Sequence, residues 1–151
     1  MTPSSLDDLN MWPTVRLLGY GGWLPFYGLL AAGWLWPEAA WPHSVMLAYS
    51  VAIVSFVGAV SWGWALAWPN ADRALRIQLL AWGVMPALLA CVAVLLPGTW
   101  VWWALLLVYA CAWAVDGYVA QRLQLPLAWM RMRTHLSLGV GLALVLATFT
   151  F

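Results

Sequence analysis

SVMLAYSVAIVSFVGAVSWGWALAW, residues 44–68, runs for 25 positions without a charged side chain. A helix that crosses about 30 Å of hydrocarbon needs about 20 apolar residues, and this run is long enough. Near its middle, Ser55, Gly58, Ser61 and Gly63 interrupt the large side chains with small ones. In water such a segment makes a poor core helix. In lipid, helices gain little by burying apolar surface against each other and gain more by close approach, which needs small residues.

The rest of the chain agrees that lipid is the solvent. Its 151 residues are 66% hydrophobic and 7% charged, against about 25% charged in a soluble domain. Such a chain cannot cover its own surface in water, and we read it as an all-α integral membrane protein. Lys is absent, all six basic residues are Arg, and the net charge is +1. No basic stripe exists to follow a phosphate backbone, so nucleic acid is excluded as a partner. Cys91 and Cys111 lie inside apolar runs and form neither a CxxC pair nor a metal spacing. They read as small apolar residues.

Five stretches are expected to span: Leu17–Trp36, Ser44–Trp68, Ile77–Leu96, Trp100–Ala120 and His135–Phe151. The expected fold is a compact bundle of five transmembrane helices over residues 17–151, preceded by a short cytoplasmic segment, residues 1–16. The first charges are Asp7 and Asp8, which is not the basic start of a cleavable signal peptide. Pro37, Pro42, Pro69, Pro97 and Pro126 fall in the links, where a missing N–H costs little. The link after Pro126, LPLAWMRMR, reads as a short interfacial segment.

With five spans, Arg16, Arg73, Arg76, Arg122, Arg131 and Arg133 all fall on one side. The positive-inside rule then places the N-terminus in the cytoplasm and the C-terminus outside a bacterial inner membrane. The 14 Trp fit that layout. Trp34, Trp36, Trp41, Trp100, Trp102 and Trp103 gather at the outer interface, and Trp12, Trp68 and Trp129 at the inner one. Indole prefers the headgroup level.

Ser55, Ala59 and Gly63 are spaced four apart and make one small-residue stripe, which Gly58 widens. Gly139, Ala143 and Ala147 make a matching stripe in the fifth span, and Gly21, Gly28 and Ala32 one in the first. The stripe reads as a helix-packing seam or partner face. The alternative is that it leaves room for a ligand, with Trp62 as one wall.

Polar groups gather toward the Arg side. Trp23 and Ser61 lie about 10 Å in from that boundary and Asp116 about 6 Å in. An acid at such depth is costly unless paired or wet, and is by default a functional hypothesis. Its candidate partners are Arg122, Arg131 and Arg133. His43 and His135 fall at opposite faces, too far apart to share a metal. No nucleotide loop, HExxH or GxSxG occurs. No catalytic set, cofactor or metal is expected.

Four runs, LGYGGWLPF (18–26), YSVAIVSFVGAVSWGWAL (49–66), VMPALLA (84–90) and VDGYVAQRLQLPLAWMRMRTHLSL (115–138), carry a resemblance. The chain resembles a bacterial membrane-protein family of unknown function that includes the mitochondrial transmembrane protein 69. That family usually reads SFLGGxxWG in the second run, with His or Arg before the Trp-Gly; here Ser61 stands in that place. Its Asp at the end of span four and its LPxWxxxxR segment are matched by Asp116 and by Leu125-Pro126 through Arg131 and Arg133. The resemblance implies an inner-membrane protein and brings no activity with it.

Two functions follow as expectations. The first is an accessory, assembly or stabilising subunit of a larger membrane complex. Its partners would be membrane lipids and an integral membrane protein or a second copy, through Ser55, Gly58, Ala59, Gly63, Gly139 and Ala143. The second is binding or transport of a hydrophobic small molecule (a quinone, lipid or tetrapyrrole) in an inner-leaflet groove between spans one, two and four. Trp23, Ser61, Trp62 and Asp116 would line it, with Arg122, Arg131 and Arg133 at its edge.

Overall fold

The structure is a computed structural model that describes residues 11–68 and 72–151. Pro69 and the first ten residues of the expected N-terminal segment lie outside the described residues. Among the described residues the chain is all helical. The helices are α1 (Trp12–Gly21), α2 (Trp23–Leu35), α3 (Trp41–Ala67), α4 (Arg73–Ala93), α5 (Trp100–Leu123) and α6 (Leu127–Thr150).

Four of them, α3 to α6, are long and apolar enough to cross a membrane. The stretch expected as span one is divided at Gly22 into helices of 10 and 13 residues. Pro25 has no N–H to offer the carbonyl of Gly21. The Gly22 N–H turns back to Gly19 O at 3.1 Å, and Tyr49 Oη, from α3, donates to Gly22 O at 3.0 Å. The break is therefore held by a neighbouring helix.

The longer helices begin and end where local chemistry says they should. Pro42 sits in the first turn of α3. Asp72 caps α4 by accepting from Leu75 N at 2.7 Å. The Arg76 guanidinium donates to Ala65 O and, at 2.8 Å, to Trp68 O. That places a cation on the negative end of α3. Gly98, after Pro97, takes a positive φ of 56° in the α4–α5 turn. Gln124 closes α5 in the left-handed region, and Leu125 N donates to Ala120 O at 2.9 Å.

Pro126 then caps α6, which starts at Leu127 and runs 24 residues unbroken. This corrects both the His135 start of the fifth span and the separate interfacial segment. Residues 127–138 hold no Gly or Pro and several strong helix formers, so the helix has no reason to wait for His135. Arg131 and Arg133 belong to its first two turns.

The helices close into a ring. α2 packs on α3, α3 on α4, α4 on α5, α5 on α6, and α6 returns to α2, while α3 also touches α5 across the middle. One core cluster joins Phe26, Met46, Trp102, Leu105 and Leu144. A smaller one joins Ala65, Leu75, Leu79, Val119 and Leu123 near the Arg-bearing end. Large apolar side chains such as Leu24, Leu66, Leu107, Leu138 and Phe149 point outward, as the face of a bundle solvated by lipid requires.

The small residues pack in a different register from the expected one. Gly58 is buried against α4, where an added Cβ would lie 2.9 Å from Pro86 Cγ and 3.0 Å from Gly83 O. Val54, Ser61 and Ala65 share its buried face. Ala59 and Gly63 point outward, Ser55 is half-buried, and a Cβ on Gly63 would meet nothing within 4 Å. The α3 seam thus closes on α4, not on the Gly139, Ala143 and Ala147 stripe of α6. That stripe packs elsewhere: Gly139 receives the Trp23 indole of α2, and Ala143 and Ala147 are buried. In the first span Gly21 and Gly28 have open space, and Gly33 takes the close contact, with Phe151 and Thr150.

Candidate functional site

At the Arg-bearing end the ring does not close on itself. A cavity of about 440 Å³ lies between α1, the start of α2, α3, α5 and the first half of α6. Its wall is mostly apolar: Val15, Ile53, Val57, Val60, Leu136 and Val140 among others. Leu18 of α1 and Phe56 of α3 line it while remaining 73% and 69% exposed. They mark its mouth, which opens to the surface between α1 and α3.

Several polar groups of the wall are paired. Trp23 Nε1 donates to Leu136 O at 3.2 Å. Tyr109 Oη donates to Ser50 O at 2.8 Å, which ties α5 to α3. Asp116 and Arg133 form an ion pair, Nε to Oδ2 at 2.5 Å, with their side chains 4% and 12% exposed. A carboxylate at that depth is tolerable because a guanidinium neutralises it. Beyond these, Arg133 Nη2 and Ser137 Oγ are buried with no hydrogen-bond partner. Both residues line the cavity. One helical turn apart on α6, they lie on one face.

Of the residues singled out from sequence, Trp23, Asp116 and Arg133 meet at this cavity. Ser61 and Trp62 do not line it. Ser61 is fully buried, and its Oγ also lacks a hydrogen-bond partner. Trp62 lies over Gly83 and donates its Nε1 to Leu80 O at 2.9 Å, on the α4 side of α3. The groove is walled by α6 as well as by the elements of spans one, two and four. Arg122 is exposed and lies over the Tyr118 ring at 5.9 Å, and Arg131 is exposed. Of the three candidate partners of Asp116, Arg133 is the one that pairs. It does so because α6 begins early and faces α5 across a three-residue turn.

Tyr109, Trp129 and Met132 were not singled out for the site and line it. Their signal was present but weak: residues 129, 132, 133, 136, 137 and 140 follow helical spacing, visible only once the start of α6 is placed at Leu127. Around the cavity, further contacts tie the same end together. His135 Nδ1 lies 3.2 Å from Tyr20 Oη, Trp113 Nε1 donates to Thr134 Oγ1 at 3.1 Å, and the Trp64 and Trp129 rings meet edge to face. Among the described residues no group of His, Cys, Asp or Glu could hold a metal ion.

No curated protein and no solved structure matches this chain. A family model, described as a protein of unknown function (DUF3429), matches residues 11–149. With that span covering nearly the whole bundle, cavity included, the chain belongs to the DUF3429 family.

Proposed function

We propose that this chain is a polytopic membrane protein that holds a hydrophobic small molecule in the cavity at its Arg-bearing end. In this reading α1 and α2 together make a fifth, broken crossing. The six Arg face the cytoplasm of a bacterial inner membrane, by the positive-inside rule. The observation that carries the reading is the cavity. Its volume of about 440 Å³ falls in the range of about 300–1,000 Å³ usual for small-molecule pockets. It is apolar with a few convergent polar groups. With α1 and α2 in the bilayer, its mouth faces lipid, the phase in which such a ligand dissolves.

The test is purification from native membranes in mild detergent, with mass spectrometry of the extracted small molecules. Val57→Trp, which fills the cavity from α3, is the comparison. The expected result is one compound enriched with the native protein and lost from Val57→Trp, while both insert equally. The same lipid profile in both, with nothing enriched, overturns the reading.

A second reading, an accessory subunit of a larger complex, draws on the outward face of α3. Ala59 and Gly63 point away from the bundle, and Gly63 has open space around it. In that case Ala59→Leu releases a co-purifying membrane protein without altering insertion. Unchanged association argues against this face.

A further inference from the structure

One acceptor in the cavity wall is left open, and it says what kind of head group fits there. Resting on the small-molecule reading above, we infer that the cavity selects a ligand whose polar end is a neutral hydroxyl, as in a quinol or a lipid alcohol, which donates a hydrogen bond to Asp116 Oδ1.

Asp116 is 3% exposed and belongs to the cavity wall. Arg133 Nε donates to its Oδ2. Oδ1 has no hydrogen-bond partner among the described residues, yet it is not sealed in the packing as Arg133 Nη2 and Ser137 Oγ are. With so little of the residue exposed, the surface that Oδ1 keeps is the wall of the chamber. Arg133 Nη2 and Ser137 Oγ lie behind that wall and reach no bound molecule.

Paired with a guanidinium, Asp116 is a carboxylate, and a carboxylate oxygen only accepts. What meets Oδ1 has to bring a proton. The Asp116–Arg133 pair is uncharged as a whole, and most of the wall around it is aliphatic or aromatic. An ammonium would bring the proton but leave the chamber with a net positive charge. A second carboxylate would set its own lone pairs against Oδ1 and add a negative charge. Either leaves an uncompensated ion in a medium of low dielectric. A ketone, ester or ether has no proton to offer. A hydroxyl donates one hydrogen bond and adds no charge.

The same oxygen still has two lone pairs. Two donors of the wall have no partner among the described residues and are not sealed. They are Arg133 Nη1, on the guanidinium bound to Oδ2, and Trp129 Nε1, one helical turn earlier on α6. A hydroxyl oxygen accepts from either while it donates to Oδ1. Trp23 Nε1 and Tyr109 Oη are already committed, to Leu136 O and Ser50 O. An apolar tail then lies along Val57, Val60 and Val140 and leaves past Leu18 and Phe56.

The experiment uses the full chain in lipid nanodiscs, protein-free nanodiscs as the blank, and isomeric probes at equal bilayer mole fraction. Probe held after exchange against excess vesicles is measured by gas chromatography with mass spectrometry. 1-Dodecanol against methyl undecyl ether, and 4-decylphenol against 4-nonylanisole, each exchange a hydroxyl for an ether of the same formula. In the native protein at least one hydroxyl probe is expected to be held at least about tenfold over its isomer, as a hydrogen bond to a charged acceptor allows. The arm that responds distinguishes a lipid alcohol from a phenolic quinol. Asp116→Leu combined with Arg133→Met removes the acceptor without leaving a buried charge, a kind of replacement that folds tolerate. It is expected to abolish the hydroxyl advantage and leave retention of the ethers unchanged.

Equal retention of both isomers in both arms overturns the inference; the cavity would then hold apolar matter without reading a proton, and the binding reading would stand. A hydroxyl advantage that survives in the double variant also overturns it, since Oδ1 would not be its source. Retention of no probe overturns both. If the double variant does not insert, the native series still decides, with Val57→Trp, which fills the cavity, expected to lose the advantage; an advantage kept in Val57→Trp overturns the inference.

Discussion

The two sides of α3 show opposite solutions to helix packing in lipid. Toward α4 the helix closes almost backbone to backbone: Gly58 lies on Pro86 and Gly83, and Trp62 lies over Gly83 with its indole N–H bonded to Leu80 O. Toward α1, α5 and α6 it presents Ile53, Phe56, Val57 and Val60 to a chamber of about 440 Å³. The contrast teaches that small residues mark where this bundle is closed. Where it is open, the wall is built of large and β-branched side chains held apart by other bonds. Chief among those bonds are the Asp116–Arg133 pair and the Tyr109 tie to Ser50 O.

The largest expected effect lies on the open side. Arg133→Ala leaves Asp116 buried and unpaired, which costs about 3–5 kcal/mol. Unfolding in detergent micelles should show it, and adding Asp116→Ala should cost far less than a second loss of that size. Additive losses would mean that the pair contributes nothing as a pair.

On the closed side, Gly58→Ala forces a methyl against Pro86 and the Gly83 carbonyl. The penalty for such overpacking is about 1–3 kcal/mol, read as a lower midpoint of the same unfolding. Back on the open side, Tyr109→Phe removes the buried hydrogen bond that ties α5 to α3 and should cost about 1 kcal/mol. It should raise hydrogen exchange around Ser50 before it alters global unfolding. The smallest effect sharpens the comparison most. Gly63→Ala makes the same chemical change as Gly58→Ala in the same helix, but into open space. It should be neutral or stabilising by up to about 1 kcal/mol. If both glycines respond alike, the two faces of α3 are not distinct.

Much of this was legible before any coordinates. The lengths of α3, α4 and α5 follow from apolar runs ended by Pro, Asp72 and Gly98. The placing of the Arg at one end follows from the same runs. Asp116 stood out because a lone acid in an apolar run has few stable surroundings, and Arg133 was among its three candidate partners. The register of the α3 seam was not legible. In a soluble helix the polar face says which way the core lies. In α3 both faces are apolar, so Ser55, Ala59 and Gly63 look as good a stripe as the buried face through Gly58. The true seam depended on Pro86 and Gly83 of another helix. The break at Gly22 was hidden for a related reason: Pro25 announces a bend, but the group that stabilises it, Tyr49 Oη, comes from elsewhere in the chain. Trp62 was placed on the wrong side of its helix because a rotation of one residue carries a side chain about 100° around the axis.

The short turn at Gln124 has a bearing on how the chain enters the membrane. Because α5 and α6 are joined so tightly, Asp116 and Arg133 meet within a hairpin of two consecutive helices. Unpaired, each would be a charge among apolar side chains and would oppose insertion. Paired within one hairpin, they can cross the interface as a neutral unit, without waiting for α1 to α4 to assemble around them. The α5–α6 hairpin thereby carries its own charge compensation, and the rest of the ring needs only to close upon it.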